Sequence, residues 1–203
     1  MKIAGVNGAW DEPDGKPRAV LLLAHGAGGD LNDELLCGVG AALTQSRVAT
    51  LRFNFPYREA GRRAPGSQAQ SEECYRAVAT EARRRGVPLL CGGKSYGGRI
   101  ATHIAADGFD VDRLVLLSYP LHPPGRPDKL RDEHLRDIGR PMLFIQGTRD
   151  PFATPELLTK TVAGLPTATL VPIEGGDHSL RVRGRKRADV VAEVAGAIAE
   201  RLR

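Results

Sequence analysis

The sequence predicts an α/β fold: a doubly wound, mostly parallel sheet in one compact domain spanning residues 1–203. Three observations carry that prediction. Short β-rich apolar runs alternate with longer stretches of helical spacing, the pattern of parallel strands joined by crossover helices. The runs are nearly all apolar, as strands buried on both faces should be. A chain of 203 residues can also cover both faces of a sheet without disulfide or metal support.

The N-terminal MKIAGVNGAW is expected to add an antiparallel edge strand. Six core strands follow, at Ala19–Ala24, Val48–Phe53, Val87–Cys91, Leu114–Leu117, Met142–Ile145 and Ala168–Ile173. Pro88 and Pro172 argue against full pairing where they stand, since proline cannot donate to a ladder. Between strands, Ser67 and Gln70 form a capping-box pattern opening a helix to Arg85, with Cys74, Val78 and Ala82 along one face. Tyr96–Asp107 predicts a helix whose Gly97, Gly98, Ala101 and Ala105 permit close approach to the sheet, with Gly108 as its stop. A helix is also expected over Asp128–Ile138, and a last one presents Val191, Ala195, Ile198 and Leu202. Gly61–Ser67 and Tyr119–Pro127 read as turn-rich loops.

Composition excludes several functions. With 41% apolar and 26% charged residues and no apolar run of membrane-spanning length, the chain reads as non-membrane. Asp11, Glu12 and Pro13 interrupt the N-terminus before a signal-peptide core develops, so the expected location is the cytoplasm. Cys37, Cys74 and Cys91 match neither a disulfide framework nor a metal knuckle, and no histidine pair has zinc-site spacing. No metal and no cofactor is expected. The net charge of +5 is concentrated in RVRGRKR at residues 181–187, which reads as a solvated loop, an attractor of anionic substrates or partners, or a nucleic-acid contact. Without interleaved aromatics or a reading motif, nucleic acid is the weakest of these.

The chemistry-bearing stretch is VPLLCGGKSYGG, which reads as strand, sharp turn and small-residue helix with Ser95 at the turn. Gly93-Lys94-Ser95-Tyr96-Gly97 fits G-x-S-x-G, a pattern that a structural turn can also produce. It is similar to the nucleophile elbow of α/β-hydrolases. That resemblance implies an acid and then a histidine on later strand-end loops. Asp150 follows MLFIQGTR, and His178 follows ATLVPIEGGD. His178 would take the Ser95 proton and return it to the leaving group, while Asp150 would hold the imidazole. Asp150 also suits a turn and His178 a plain loop; Asp177 is a competing acid, but it would have to fold back to reach its own neighbour. The oxyanion donors are expected to be the backbone N–H groups of Ala27, in HGAGGD, and Tyr96. His25 reads as a structural residue of that loop.

Together HGAGGD, GGKSYGGR, GTRDPF and GGDHSL resemble the α/β-hydrolase superfamily across nearly the whole chain. RFNFPYREAGRRAPG and LLSYPLHPPGRP are similar to its small dienelactone-hydrolase-like branch, which includes compact bacterial proteins and a domain of a eukaryotic chromatin-complex subunit. Dienelactone hydrolases use cysteine, so Ser95 departs from that activity. Lids of the superfamily commonly follow the strand before Ser118, and the roughly 24 residues there leave no room for a large cap domain. The resemblance implies a cofactor-free serine hydrolase acting on a small-molecule ester or thioester, as a monomer or homodimer. A catalytically silent binding or scaffold protein is the alternative. Tyr57, Tyr119 and His122 follow strands and are candidate substrate contacts, with packing as the other reading.

Overall fold

The computed structural model describes residues 1–202, and its eight strands form one sheet in the order β1-β2-β4-β3-β5-β6-β7-β8. They are β1 (Lys2–Ile3), β2 (Val6–Asp11), β3 (Ala19–Ala24), β4 (Val48–Phe53), β5 (Leu89–Lys94), β6 (Arg113–Leu117), β7 (Met142–Gly147) and β8 (Ala168–Ile173). Strands β3 to β8 run parallel, whereas β2 pairs antiparallel with both β1 and β4. The N-terminal segment is therefore a hairpin and not one edge strand. Ala4 and Gly5 both have positive φ, 45° and 85°, and that turn splits it.

Six α-helices cover the sheet: α1 (Glu34–Leu43), α2 (Pro56–Glu59), α3 (Gln68–Arg83), α4 (Tyr96–Ala106), α5 (Pro155–Ala163) and α6 (Arg187–Glu200). Side chains alternate between the faces of each strand, so β3 feeds two cores. Leu22 packs with Phe53, Tyr75, Val78, Ile100 and Phe144 on the face covered by α3 and α4. Leu21 and Leu23 pack with Leu36, Val39, Val194 and Ile198 under α1 and α6. Ser67 caps α3, its hydroxyl accepting the Gln70 N–H at 3.5 Å.

Three boundaries differ from expectation in ways that matter for the site. Pairing in β5 starts at Leu89, because Pro88 has no N–H to donate and joins the ladder only through its carbonyl, which accepts the Val20 N–H, and it continues through Gly92 and Gly93 to Lys94. The ladder thus delivers Ser95 directly. The expected helix over Asp128–Ile138 is only a 3-10 turn at Glu133–Asp137, since Leu135 and Ile138 are its sole buried apolar anchors. Helices α1 and α5 occupy stretches whose sequence did not mark them. Pro172 lies in β8, the outermost strand, where proline is tolerated.

The order in which strands are added reverses at β3, which sits between β4 on one side and β5 on the other. An open α/β sheet has its crevice at such a point, beyond the carboxyl ends of the strands. The loops after β3 and β5 consequently face one another.

Candidate active site

Ser95 stands between β5 and α4 with φ 52° and ψ −115°, a left-handed conformation that costs a non-glycine residue about 1–3 kcal/mol. Its backbone is pinned on both sides. The Ser95 N–H donates to the Leu117 carbonyl at 2.8 Å, and its carbonyl accepts the Arg99 N–H at 3.0 Å. Gly97 must be glycine, because a Cβ there would overlap the Ala24 carbonyl of β3. The elbow is wedged against the neighbouring strand, and the hydroxyl is left free to face the crevice.

His178 lies in the loop after β8, with Nε2 2.9 Å from Ser95 Oγ and Nδ1 2.7 Å from Asp150 Oδ2. A carboxylate only accepts hydrogen bonds, so Nδ1 carries the proton and Nε2 is the acceptor facing the serine. The Asp150 side chain has no exposure. Besides His178, its Oδ2 accepts from Gln146 Nε2 at 2.7 Å and its Oδ1 from the Phe152 N–H at 2.8 Å. The Phe152 ring stacks on the imidazole with centroids 4.1 Å apart. Backbone bonds tie the two loops together: Arg149 N–H donates to the Gly176 carbonyl and Thr148 N–H to that of Ile173. Asp177 is committed elsewhere, its Oδ1 accepting the N–H groups of Ser179 and Arg181.

Across the crevice, a Cβ on Gly26 would lie 3.6 Å from the Ser95 Cβ, which brings the loop after β3 against the elbow. The N–H groups of Ala27 and Tyr96 have no hydrogen-bond partner among the described residues. The Ala27 carbonyl is held from behind by the Tyr57 hydroxyl at 2.9 Å. His25 is fully buried and bonded to loop backbone, Nδ1 to the Gly26 carbonyl at 2.7 Å and Nε2 to the Phe55 N–H at 3.2 Å. Burial lowers its pKa, which keeps the ring in the neutral form that donates once and accepts once.

The three residues expected against substrate face inward instead. Tyr57 is 3% exposed and supports the Ala27 loop. Tyr119 has no exposure, packs edge-on to Phe144 and donates to the Arg131 carbonyl. His122 is 2% exposed and bonds to the Pro123 carbonyl and the Thr154 N–H. For each, packing overrides a position at a strand end. Sequence reading missed Phe152, Gln146 and the Lys94–Asp33 ion pair. The first two carried faint signals: an aromatic two residues after Asp150, and one amide in an apolar run.

Among the described residues no cluster of three or more His, Cys, Asp or Glu side chains could hold a metal, and no helix is long and apolar enough to cross a membrane. Burial pushes the Cys74 and Cys91 thiols up to about 12, which keeps them protonated and inert. In the basic stretch, Arg181 pairs with Glu34, Arg185 with Glu193, and Arg187 donates to the Ser179 and Leu180 carbonyls.

Residues 17–202 match the model of a family described as the alpha/beta hydrolase domain. Among solved structures, the chain is similar to an alpha-beta serine hydrolase homologue from Coxiella burnetii, at 19% identity and TM-score 0.76, covering 98% of this chain and 92% of that one. It is similar to an a/b serine hydrolase without lid from Xanthomonas campestris, at 22% identity and TM-score 0.74, covering 96% and 88%. A dienelactone hydrolase from Anabaena variabilis matches at 22% identity and TM-score 0.72, covering 96% and 89%. At these identities the shared feature is the fold.

Proposed function

The chain belongs to the alpha/beta hydrolase domain family, and on that premise we propose that it is a serine hydrolase cleaving a carboxylic ester or thioester through an acyl-enzyme. The observation that carries this reading is the unbroken hydrogen-bond chain from Ser95 Oγ through His178 to Asp150, at 2.9 and 2.7 Å.

Ser95 Oγ attacks the acyl carbon as its proton passes to His178 Nε2, and the carbonyl π electrons move to oxygen. The N–H groups of Ala27 and Tyr96 receive that oxyanion, a contribution of about 3–4 kcal/mol for a well-placed donor. Collapse breaks the bond to the leaving alcohol or thiol, which takes the His178 proton. Water then attacks the acyl-serine with His178 again as base, releasing the acid and restoring Ser95. Asp150 stabilises the imidazolium formed in each half. The connection between β6 and β7 carries only a 3-10 turn, which supports an uncapped site suited to small or extended acyl groups.

Labelling with a fluorophosphonate tests the reading. Wild type is expected to be modified at Ser95, and Ser95→Ala and His178→Ala to resist, each also losing about four or more orders of magnitude in ester turnover. A folded protein that the probe leaves untouched would sink the proposal in favour of a silent binding protein. An ester panel of graded acyl length then identifies the substrate range.

A further inference from the structure

Gln146 interrupts the otherwise apolar run of β7 and is 4% exposed. Its Nε2 donates to Asp150 Oδ2 at 2.7 Å, and the facing atom must be the NH2 group because the carboxylate can only accept. That orientation leaves Gln146 Oε1 buried with no hydrogen-bond partner among the described residues. A buried carbonyl without a partner destabilises a fold, whereas leucine or methionine of similar volume would not. Packing alone therefore gives no reason for an amide at this position.

Asp150 gives the reason. Its carboxylate has no exposure, and among the described residues its one ionic partner is His178. The buried anion is sustained by neutral donors, the Phe152 N–H on Oδ1 and the Gln146 amide on Oδ2, beside the His178 Nδ1–H. We infer that Gln146 is a positioning residue for this site, holding the Asp150 carboxylate aimed at His178. The inference rests on the acyl-enzyme reading above.

Asp150 is the titratable group that Gln146 bonds, and His178 lies beyond it on the same carboxylate oxygen. Gln146 also lines a cleft with Thr148, Pro155, Leu158, Thr159, Leu170 and Pro172, none of which carries a charge.

Two variants test the assignment, with kcat and KM for a reactive ester followed across the pH range in which each protein stays folded. Gln146→Leu is expected to lower kcat by about ten- to a hundredfold, the reach of one hydrogen bond to a charged group, with KM and unfolding midpoint little changed. Gln146→Glu is expected to show a deficit that grows with pH relative to wild type. Protonated, the new carboxyl donates to Asp150; ionised, it repels it. A purely structural role would not produce that slope. A Gln146→Leu enzyme as fast as wild type, or a Gln146→Glu ratio independent of pH, overturns the assignment while Ser95→Ala stays inactive. If neither variant unfolds cooperatively, the residue serves the core and the assignment falls. Turnover persisting in Ser95→Ala overturns the acyl-enzyme reading itself, and this inference with it.

Discussion

Lys94 Nζ lies 2.8 Å from Asp33 Oδ2, with side chains 14% and 15% exposed. Lys94 immediately precedes Ser95, and Asp33 caps α1 by accepting the N–H groups of Leu35 and Leu36. The pair joins the elbow to the end of the loop carrying Ala27. Removing one partner of a poorly solvated pair leaves the other uncompensated. Lys94→Met should therefore lose about 1–3 kcal/mol in urea unfolding and lower kcat, with Lys94→Arg recovering part of both. Asp33→Ala should fall about 1 kcal/mol below Asp33→Asn, which keeps the cap oxygen.

The Phe152 ring covers the His178 imidazole, and its backbone separately braces Asp150. Phe152→Ala removes the first support and keeps the second. The expected result, on the proposed mechanism, is a kcat lower by about tenfold with KM less affected, because a loosened base harms proton transfer more than binding. Steady-state kinetics on one ester decides it; equal loss in both parameters' ratio through KM alone would contradict it.

Tyr57 acts on the Ala27 loop through a single hydroxyl. Tyr57→Phe keeps the ring in its stack with Phe55 and removes that bond. Turnover should fall by about three- to tenfold, the reach of one neutral hydrogen bond. Fluorophosphonate labelling should slow in step, since on the proposed mechanism it develops charge on the same donors.

His103 and His134 stack with centroids 4.0 Å apart. The Thr102 hydroxyl gives its proton to the Arg99 carbonyl, so it accepts from His134 Nε2, while His103 Nε2 accepts from Arg99 Nε. The His103 arrangement requires a neutral ring, because its Nε2 accepts. Burial, then His103, then Arg99 lower His134 from 6.5 to about 4; burial and Arg99 lower His103, with Glu72 opposing. A depressed folded pKa means that the unfolded chain binds more protons in this window. The contribution to stability is full above pH 6.5 and lost as pH falls through about 4. Urea midpoints measured against pH should show that decline in wild type and a shallower one in His134→Gln.

The central strands were legible because a strand buried on both faces, such as Ala19–Ala24, has no polar residue to disguise it. Helix α1 was not, since Gly38 and Gly40 depress helix propensity. It forms because Gly38 lets Val191 of α6 approach, a Cβ there standing 3.0 Å from that side chain. Ser95, Asp150 and His178 each sit in a short motif at a strand end, where the resemblance to the α/β-hydrolase pattern picks them out. Lys94 and Asp33 are 61 residues apart, and no local pattern links them. The inward turn of Tyr57, Tyr119 and His122 likewise depends on cores assembled from distant segments.

Pro172 sits within the outermost strand β8, and the opposite margin is the two-residue β1. A proline interrupts the row of amide donors a passing chain would need, and so short a strand offers almost none. The sheet is thus guarded against templated stacking with its own copies, so the molecule can leave the mouth of its crevice unroofed without inviting fibrous aggregation along its flanks.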